Sequence, residues 1–350
     1  MNQFVPQIHL WYNRNFRDLP WRNTHDPYKI WISEIILQQT RVEQGKNYYL
    51  NFINRFPSLK HLAGASENEV LKLWQGLGYY SRARNLHQTA RFIQNELQGK
   101  FPETYEDIIR LKGIGPYTGA AIASIAFGLP YPAIDGNVYR VLSRYFGIST
   151  PIDSGKAKKE FRELASGLLP PKNPGFHNQA LMEFGALQCT PKSPNCKNCP
   201  VADSCFAYSE KQVEELPVKE KRTKQRKRYF YYFYIDDGKF TWLEKRTGND
   251  IWKNLYQFPL LESDKELTDS EIGNLKNIPF LNGHSATVNK ISKPVKHILS
   301  HQVIFATLIH VEIPSIKSLT DNLIKVEKNS ISDFPVPRLI EILIKNAGDF

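Results

Sequence analysis

Sulfur is scarce in this sequence, whose 350 residues include only four cysteines and two methionines. All four cysteines lie in one short window, so the rest of the chain has no thiol to offer as a disulfide partner. Secreted domains that depend on disulfides are usually short and rich in cysteine, which disfavours that class here. The expected setting is therefore a reducing compartment such as the cytoplasm.

Long apolar runs and an excess of acidic residues are also missing. The longest weakly polar run, residues 119–130, is too short to cross a bilayer, and residues 1–17 lack the apolar stretch of a signal peptide. We therefore expect no membrane partner. The 46 Lys and Arg residues outnumber the 35 Asp and Glu residues and give a net charge of +11. This charge favours a polyanionic partner such as nucleic acid, although a well-solvated basic surface would carry it too.

The cysteine window has the spacing of a metal site. Cys189, Cys196, Cys199 and Cys205 are separated by six, two and five residues. Four thiolates suit either a zinc ion or a [4Fe–4S] cluster, but structural zinc sites usually pair two Cys-x-x-Cys knuckles. This window has only one, so the pattern favours the iron–sulfur cluster.

Length and composition predict two domains around a basic linker. Residues 219–228 carry like charges without apolar anchors, which disfavours a packed core there. We expect a helical region at 1–215 that includes the cysteine loop 189–205, a linker at 216–228, and a mixed α/β domain at 229–350. Apolar periodicity predicts helices over Ile30–Leu37, Glu69–Trp74, Ala83–Leu97, Thr118–Phe127, Val138–Phe146 and Ala180–Leu187. After the linker, it predicts a β-hairpin over 229–245, a strand over 305–311 and a helix over 337–346.

A glycine motif lies inside the helical region. In residues 111–120, Gly113 and Gly115 allow a tight turn, and the helix that follows directs its free N–H groups outward. Such a hairpin binds phosphates without reading bases. Alone, the motif also fits an ordinary helix–helix turn.

The order of hairpin, Asp135 and cysteine loop resembles the endonuclease III superfamily of DNA base-excision glycosylases. Residues 19–22 and 31–40, with a second domain after the linker, resemble the adenine glycosylases of the MutY type. The resemblance covers nearly the whole chain. It implies an all-helical helix-hairpin-helix glycosylase domain with a [4Fe–4S] loop, followed by a Nudix-like α/β domain.

The resemblance also implies an activity and its setting. The expected reaction removes adenine mispaired with 8-oxoguanine or guanine in double-stranded DNA, as part of base-excision repair. The enzyme would act as a monomer at the bacterial nucleoid, with replication or repair proteins as possible partners. Two alternatives stay open: an endonuclease III-like glycosylase for oxidised pyrimidines, and a non-catalytic iron–sulfur protein that binds lesions.

Two acids fit this chemistry. Releasing adenine requires a proton on the purine and stabilisation of the positive charge that develops on the sugar. Glu34 is the only acid between Tyr28 and Val42, and its apolar neighbours could raise its pKa. The resemblance implies that Glu34 protonates adenine at N7 and then activates the nucleophile, while ionised Asp135 supports the sugar. Alternatively, Glu34 is a partly exposed helix residue and Asp135 only caps the helix near Val138.

Tyr117 distinguishes two activities. Glycosylases that also cut the backbone need an amine nucleophile, and the endonuclease III pattern has lysine where this chain has Tyr117. We therefore expect a monofunctional enzyme in which Tyr117 hydrogen-bonds near the catalytic acid; a packing role is the alternative. Lys112 stands in the hairpin where the family often has proline, and it brings an amine close to the expected DNA.

The remaining site residues come from the resemblance alone. Those implied to line the adenine pocket are Arg17, Trp21, Arg22, Leu37 and Gln179. Gln39 and Tyr79 would fill the space in the duplex, with Tyr79 beside the lesion, while Lys192 and Lys197 would face phosphates. Trp21 and Leu37 are equally compatible with core packing.

The C-terminal domain is expected to bind the lesion without hydrolysing diphosphates, because it has no glutamate-rich Nudix helix. The resemblance implies that Ser300 and His301 contact the oxidised base, with Leu299 where the family often has Phe. A Ser-His pair at a strand edge with no ligand is the alternative.

Overall fold

The computed structural model describes residues 3–220, 225–273, 279–281, 284, 286–314 and 319–347. The chain divides into two compact units, one of Met1–Gly64 with Asn85–Lys221 and the other of Ala65–Arg84 with Arg222–Phe350. Residues 221–224 of the predicted linker lie outside the described residues, and the segment boundaries stay a prediction. Within the described ranges, no helix combines the length and the apolar character needed to cross a bilayer.

The chain up to the basic run is helical, as predicted. Its helices are α1 (Phe4–Asn15), α2 (Pro27–Leu37), α3 (Val42–Arg55), α4 (Leu59–Gly64), α5 (Glu67–Leu73), α6 (Ser81–Glu96), α7 (Tyr105–Arg110), α8 (Pro116–Phe127), α9 (Gly136–Phe146), α10 (Gly155–Leu168), α11 (Pro174–Leu187) and α12 (Phe206–Ser209). The six helices predicted from periodicity are confirmed. Each begins two to six residues earlier than its apolar pattern, because capping and proline residues open the helices.

Helix starts place the acids that matter. The Asp26 carboxylate accepts the Tyr28 N–H, and Pro27 opens α2. Asp135 caps α9 in the same way by accepting the Val138 N–H. Between α7 and α8, Gly113 has a φ of +84°, which favours glycine, and Pro116 opens α8. The helix-hairpin-helix predicted from the glycine motif is thus present.

Helix α11 lies at the centre of the first unit, where it packs against α1, α8 and α9. The core there includes Phe4, Val138, Phe161 and Phe184. Gly185 permits the closest approach, because a Cβ added to it would lie 2.6 Å from the Cβ of Asn137. The close packing of α9 and α11 brings the polar faces of both helices to one cleft.

The second unit contains two sheets over its described residues. The strands are β1 (Arg226–Asp236), β2 (Phe240–Lys245), β3 (Tyr256–Gln257), β4 (Leu260–Ser263), β5 (Thr287–Ile291), β6 (Val295–Ile298), β7 (Gln302–Glu312) and β8 (Leu323–Glu327). One sheet has the order β4-β1-β7-β5, with β6 also paired to β7, and the other has the order β3-β2-β8. Strands β1 and β7 are parallel. Two further helices, α13 (Asp269–Gly273) and α14 (Arg338–Ala347), belong to this unit, and α14 packs against β7.

The predicted hairpin over 229–245 is wrong in its pairing, although both strands exist. In the described residues, β1 pairs with β4 and β7, while β2 pairs with β3 and β8. The side chains of the turn explain the divergence. Asp236 binds Lys328 and His310, and Asp237 binds Lys325, so the turn is attached to distant strands and loops. The basic run also ends as strand, since Arg226 begins β1.

Candidate active site

A cleft of about 630 Å³ opens in the first unit between α2, α8, α9 and α11. It brings together ten of the residues singled out from the sequence. These are Arg17, Trp21, Arg22, Glu34, Leu37, Gln39, Gly115, Tyr117, Asp135 and Gln179. The residues come from three helices, α2, α8 and α11, and from the loops beside them, so the fold, and not local sequence, assembles the set.

Glu34 lies in the third turn of α2 and is only 8% exposed. Burial raises the pKa of Glu34 to about 7, with a smaller upward contribution from the charge of Asp135. The hydrogen bond from Tyr117 and the charge of Arg22 act in the opposite direction. A carboxyl group with this pKa carries a proton for much of the time at neutral pH, as a general acid requires.

Tyr117 is the direct partner of Glu34. Its hydroxyl donates to Oε2 of Glu34 at 2.7 Å and lies 3.3 Å from the sulfur of Met182. Burial raises the pKa of Tyr117 well above 10, so the phenol keeps its proton and acts as the donor. The expected hydrogen bond near the acid is therefore present.

Asp135 is held by both of its carboxylate oxygens. Oδ1 accepts the Val138 N–H at 2.8 Å, and Oδ2 accepts the Asn137 side-chain amide at 2.7 Å. Burial raises the pKa of Asp135, while these hydrogen bonds and the charge of Arg140 counteract the rise. Arg140 in turn donates to the Asn137 side chain and to the Cys189 carbonyl, which connects the cap of α9 to the start of the cysteine loop.

Arg17 and Arg22 share a carboxylate that sequence reasoning missed. Glu183 on α11 is 2% exposed and accepts Nη2 of both arginines at 2.7 Å. Burial alone would raise the pKa of Glu183, but the hydrogen bonds from the two arginines lower it to about 2. The sequence did contain a signal for Glu183, because it is the one acid in the mostly apolar stretch 176–187. The same kind of signal identified Glu34.

The hairpin residues lie at one side of the cleft. Gly115 lines the cleft and caps α8. Gly113, in the turn, packs against Asn85 of α6, because a Cβ added to Gly113 would lie only 2.8 Å from the Cβ of Asn85. The exposed Lys112 ammonium donates to the side chain of Gln88 at 2.7 Å. Gln39 follows α2 with a φ of +57°, which is unusual for a residue other than glycine.

A second pocket of about 630 Å³ lies in the second unit. Tyr79, Ser300, His301 and Leu299 line it, and the Tyr79 hydroxyl lies 2.5 Å from Oγ of Ser300. Residues 299–301 form the tight turn between β6 and β7, where the Leu299 N–H donates to the Gln302 carbonyl. The pocket also contains aromatic and apolar side chains that sequence reasoning did not assign to it. These are Trp252, His297 and Ile298.

Tyr79 stands on a shaped loop. It is 46% exposed and has a φ of +46°, and it follows two glycines that also have positive φ, Gly76 and Gly78. The Gly78 carbonyl accepts the Trp74 indole N–H at 3.1 Å and the Arg82 guanidinium at 3.2 Å. These bonds hold the loop in a conformation that presents the phenol ring to solvent.

The four cysteines line one small cavity, and Cys196 and Cys199 stand at the two ends of a single 3₁₀ turn. The Arg144 guanidinium lies 3.5 Å from the Cys189 sulfur and also donates to the carbonyls of Thr190 and Leu216. Among the described residues, no group of three or more His, Cys, Asp or Glu side chains has the arrangement that a single metal ion requires. Lys192 and Lys197 are exposed on this loop.

A helix-hairpin-helix scaffold with the buried Glu34 and the half-buried Asp135 in one cleft defines the class, a DNA glycosylase. Comparison with known proteins supports this class. Residues 32–167 match the HhH-GPD superfamily of base excision DNA repair proteins, and residues 230–346 match the NUDIX domain family. A solved structure of a thermostable thymine-DNA glycosylase aligns with 60% of this chain and 96% of its own at a TM-score of 0.56 and 34% identity. An endonuclease III–DNA complex aligns over 60% of this chain and 95% of its own at a TM-score of 0.53 and 18% identity, and shares the fold.

Curated relatives narrow the class to one family. An adenine DNA glycosylase of Buchnera aphidicola subsp. Schizaphis graminum is 38% identical over 85% of this chain and 84% of its own length. The human adenine DNA glycosylase is 44% identical over 59% of this chain and 39% of its own length. The chain belongs to the adenine DNA glycosylase family.

Proposed function

We propose that this enzyme hydrolyses the N-glycosidic bond of adenine mispaired with 8-oxoguanine or guanine in double-stranded DNA. The observation that carries the proposal is the pairing of Glu34, buried with a pKa of about 7, with Asp135 in one cleft. The two acids have different environments, which suits one donor and one anion. The enzyme would act as a monomer at the nucleoid, in the bacterial cytoplasm.

The proposed reaction is acid-catalysed hydrolysis. Glu34 donates its proton to N7 of adenine, the bond between the base and C1′ breaks, and neutral adenine leaves. Asp135, oriented by the Val138 N–H and the Asn137 amide, supports the positive charge on the sugar. Glu34, now ionised, accepts a proton from the attacking water, which restores the acid and leaves an abasic site.

Tyr117 supports the monofunctional form of this reaction. Its phenol is engaged with Glu34 at 2.7 Å and cannot form a Schiff base with the sugar. Lys112, the amine of the hairpin, is bound to Gln88 and does not line the cleft. The backbone therefore stays uncut until alkali or another enzyme acts on the abasic site.

The adenine pocket in this proposal is formed by Arg17, Trp21, Arg22, Leu37 and Gln179. Trp21 is buried and packs edge-on against Tyr49, so it serves both the core and the wall. Gly113 and Gly115 would hold phosphates through the hairpin backbone. Gln39 and Tyr79 would fill the duplex, and their left-handed backbone conformations are the kind of stored strain found at functional sites.

In the second unit, Ser300 and His301 would contact 8-oxoguanine from the exposed β6–β7 turn. The hydroxyl contact between Tyr79 and Ser300 supports a shared role of the two residues. We also propose that residues 1–215, 216–228 and 229–350 act as glycosylase region, linker and lesion-recognition domain.

The four cysteines would hold a [4Fe–4S] cluster. The thiols line one cavity, and the nearby Arg144 guanidinium suits a site that collects negative charge on sulfur. When bound, the cluster would order the loop that presents Lys192 and Lys197 to phosphates. Neither hydrolysis nor base flipping requires its electrons.

A panel of labelled duplexes tests the substrate. Under single-turnover conditions, we expect release of adenine opposite 8-oxoguanine and opposite guanine, with no release of adenine from a normal pair with thymine. Duplexes with thymine opposite guanine and with an oxidised pyrimidine cover the other glycosylase classes. Faster release from either of these than from adenine opposite 8-oxoguanine would overturn the proposal.

The opposing-base role has its own test. The substitution Ser300→Ala should reduce the preference for 8-oxoguanine over guanine while leaving excision opposite guanine within about twofold. Ser263→Ala, which alters a serine of β4 outside the pocket, is the matched control. An unchanged preference in Ser300→Ala would remove Ser300 from the recognition site.

A further inference from the structure

We propose that Glu183 is a positioning residue of the catalytic cleft, which fixes the guanidinium groups of Arg17 and Arg22 side by side and offsets one of their two positive charges near Glu34. The inference rests on the proposed function, because the two arginines gain a role only if the cleft holds a base. The sequence analysis placed Gln179 in the adenine pocket and gave no other residue of α11 a role in the cleft.

The geometry is that of a shared clamp. Arg17 donates to Oε1 of Glu183 through Nε at 2.9 Å and to Oε2 through Nη2 at 2.7 Å. Arg22 donates to the same two oxygens at 2.9 and 2.7 Å. Two bidentate, charge-assisted pairs on one carboxylate fix both planar groups strongly. The Arg17 backbone N–H adds a bond to Oε1, and Arg22 donates to the Arg17 carbonyl.

The clamp extends to a third residue of the pocket. The Arg22 guanidinium lies 5.6 Å from the centre of the Tyr12 ring, and the Tyr12 hydroxyl donates to Oε1 of Gln179 at 3.4 Å. Glu183 thus fixes Arg17 and Arg22 directly and bears on Gln179 through Arg22 and Tyr12. All three were singled out as pocket residues without a reason for their orientation.

Charge gives the clamp a second effect. Protonated adenine and the developing sugar cation are both positive, so an uncompensated cation in the cleft opposes the reaction. Glu183 offsets one of the two arginine charges; the other nearby acid, Glu43, is exposed and 3.7 Å from Arg17. The groups that face Glu34 are Tyr117, Asp135 and Arg22. Of these, Arg22 is the one whose charge is compensated by an ion pair with Glu183.

The pH dependence of excision separates this role from a purely structural one. Release should fall as pH rises through the pKa of Glu34, because the acid must be protonated. In Glu183→Gln, the uncompensated Arg22 charge stabilises ionised Glu34, so the alkaline limb should move about one pH unit lower. Excision well above that limb then drops about tenfold, since each pH unit removes nine-tenths of the protonated acid.

Two further variants make the result specific. Glu183→Asp keeps the charge but shortens the side chain, so its limb should stay at the wild-type pH while its maximal rate falls. Glu163→Gln removes an acid of α10 that is 68% exposed, and this matched control should leave the profile unchanged. If Glu183→Gln does not fold, a wild-type maximal rate in Glu183→Asp would overturn the clamp.

A measurement without substrate keeps the inference independent of the activity. Infrared difference titration of the Glu34 carboxyl, with Glu34→Gln as the reference, should show a lower pKa in Glu183→Gln than in the wild type. A wild type that releases no adenine would overturn the proposed function alone. Coincident Glu34 titrations in folded wild type and Glu183→Gln would overturn this inference alone.

Discussion

At the scale of single residues, two glutamates of the cleft have different pKa values because their surroundings differ. Glu34 is buried among apolar residues and keeps a proton near neutral pH. Glu183, which is also buried, meets two guanidinium groups that lower its pKa to about 2, so it is an anion. The sequence places both acids in apolar helical stretches, so their difference comes from partners that only the fold supplies.

The hydrogen bond between Tyr117 and Glu34 leads to a prediction about pH. Donation to a carboxylate favours its charged form, so removing the hydroxyl in Tyr117→Phe should raise the pKa of Glu34. Since Glu34 acts when protonated, the alkaline limb of single-turnover excision should move from about pH 7 in the wild type to a higher pH. A pH series of the excision rate measures this shift.

Tyr131→Phe is the control for that series, because it removes a phenol that donates to a different acid, Glu106, on the exposed surface. Its profile should coincide with that of the wild type. A limb in Tyr117→Phe that moves to lower pH would contradict the assignment of Glu34 as the acid that Tyr117 stabilises in its ionised form.

At the scale of elements, the contact of α9 with α11 positions Asp135 in the cleft. Gly185 of α11 lies against Asn137, whose amide holds Asp135. In Gly185→Ala, the new methyl group would lie within 3.1 Å of backbone and side-chain atoms of Asn137. We expect a loss of about 1–3 kcal/mol in unfolding free energy and slower excision, measured by denaturant unfolding and single-turnover assays.

Gly167→Ala provides the matched change in α10, where an added methyl group meets no atom within 4 Å. That variant should be neutral or slightly stabilised, because alanine has the higher helix propensity. Equal stability and excision in Gly185→Ala and the wild type would show that α9 and α11 tolerate a wider separation than the structure indicates.

The elements also show how far sequence reasoning reaches. Helices such as α2 and α9 were predictable because apolar periodicity and capping acids are local signals. The pairing of β1 was not, because its parallel partner β7 begins at Gln302, far along the chain. Glu183 was missed for the same reason: its partners, Arg17 and Arg22, are more than 160 residues away. Periodicity and capping patterns within one segment do not show which distant segment that segment will contact.

At the scale of the whole molecule, the chain joins a basic helical unit and a two-sheet unit. The cysteine spacing favours a [4Fe–4S] cluster over a zinc ion in the loop 189–205. We expect purified protein to contain about four iron atoms and four sulfides per chain. Cys199→Ser should lower the iron content and the visible absorbance, as elemental analysis and optical spectra would measure.

Ser204→Ala, a change in the same loop that leaves every cysteine in place, should retain the iron. One zinc per chain in protein prepared without exposure to air, with no iron, would contradict the cluster. Arg140 and Arg144 bind the loop to α9, so loss of the cluster should also weaken excision by disordering the helix that carries Asp135.

The most direct test of the account is single-turnover excision from a labelled duplex with adenine opposite 8-oxoguanine, by wild type and Glu34→Gln, with and without later alkali. We expect strand cutting by the wild type that depends on alkali, and no excision by Glu34→Gln. Excision by Glu34→Gln at the wild-type rate, or wild-type cutting without alkali, would contradict it.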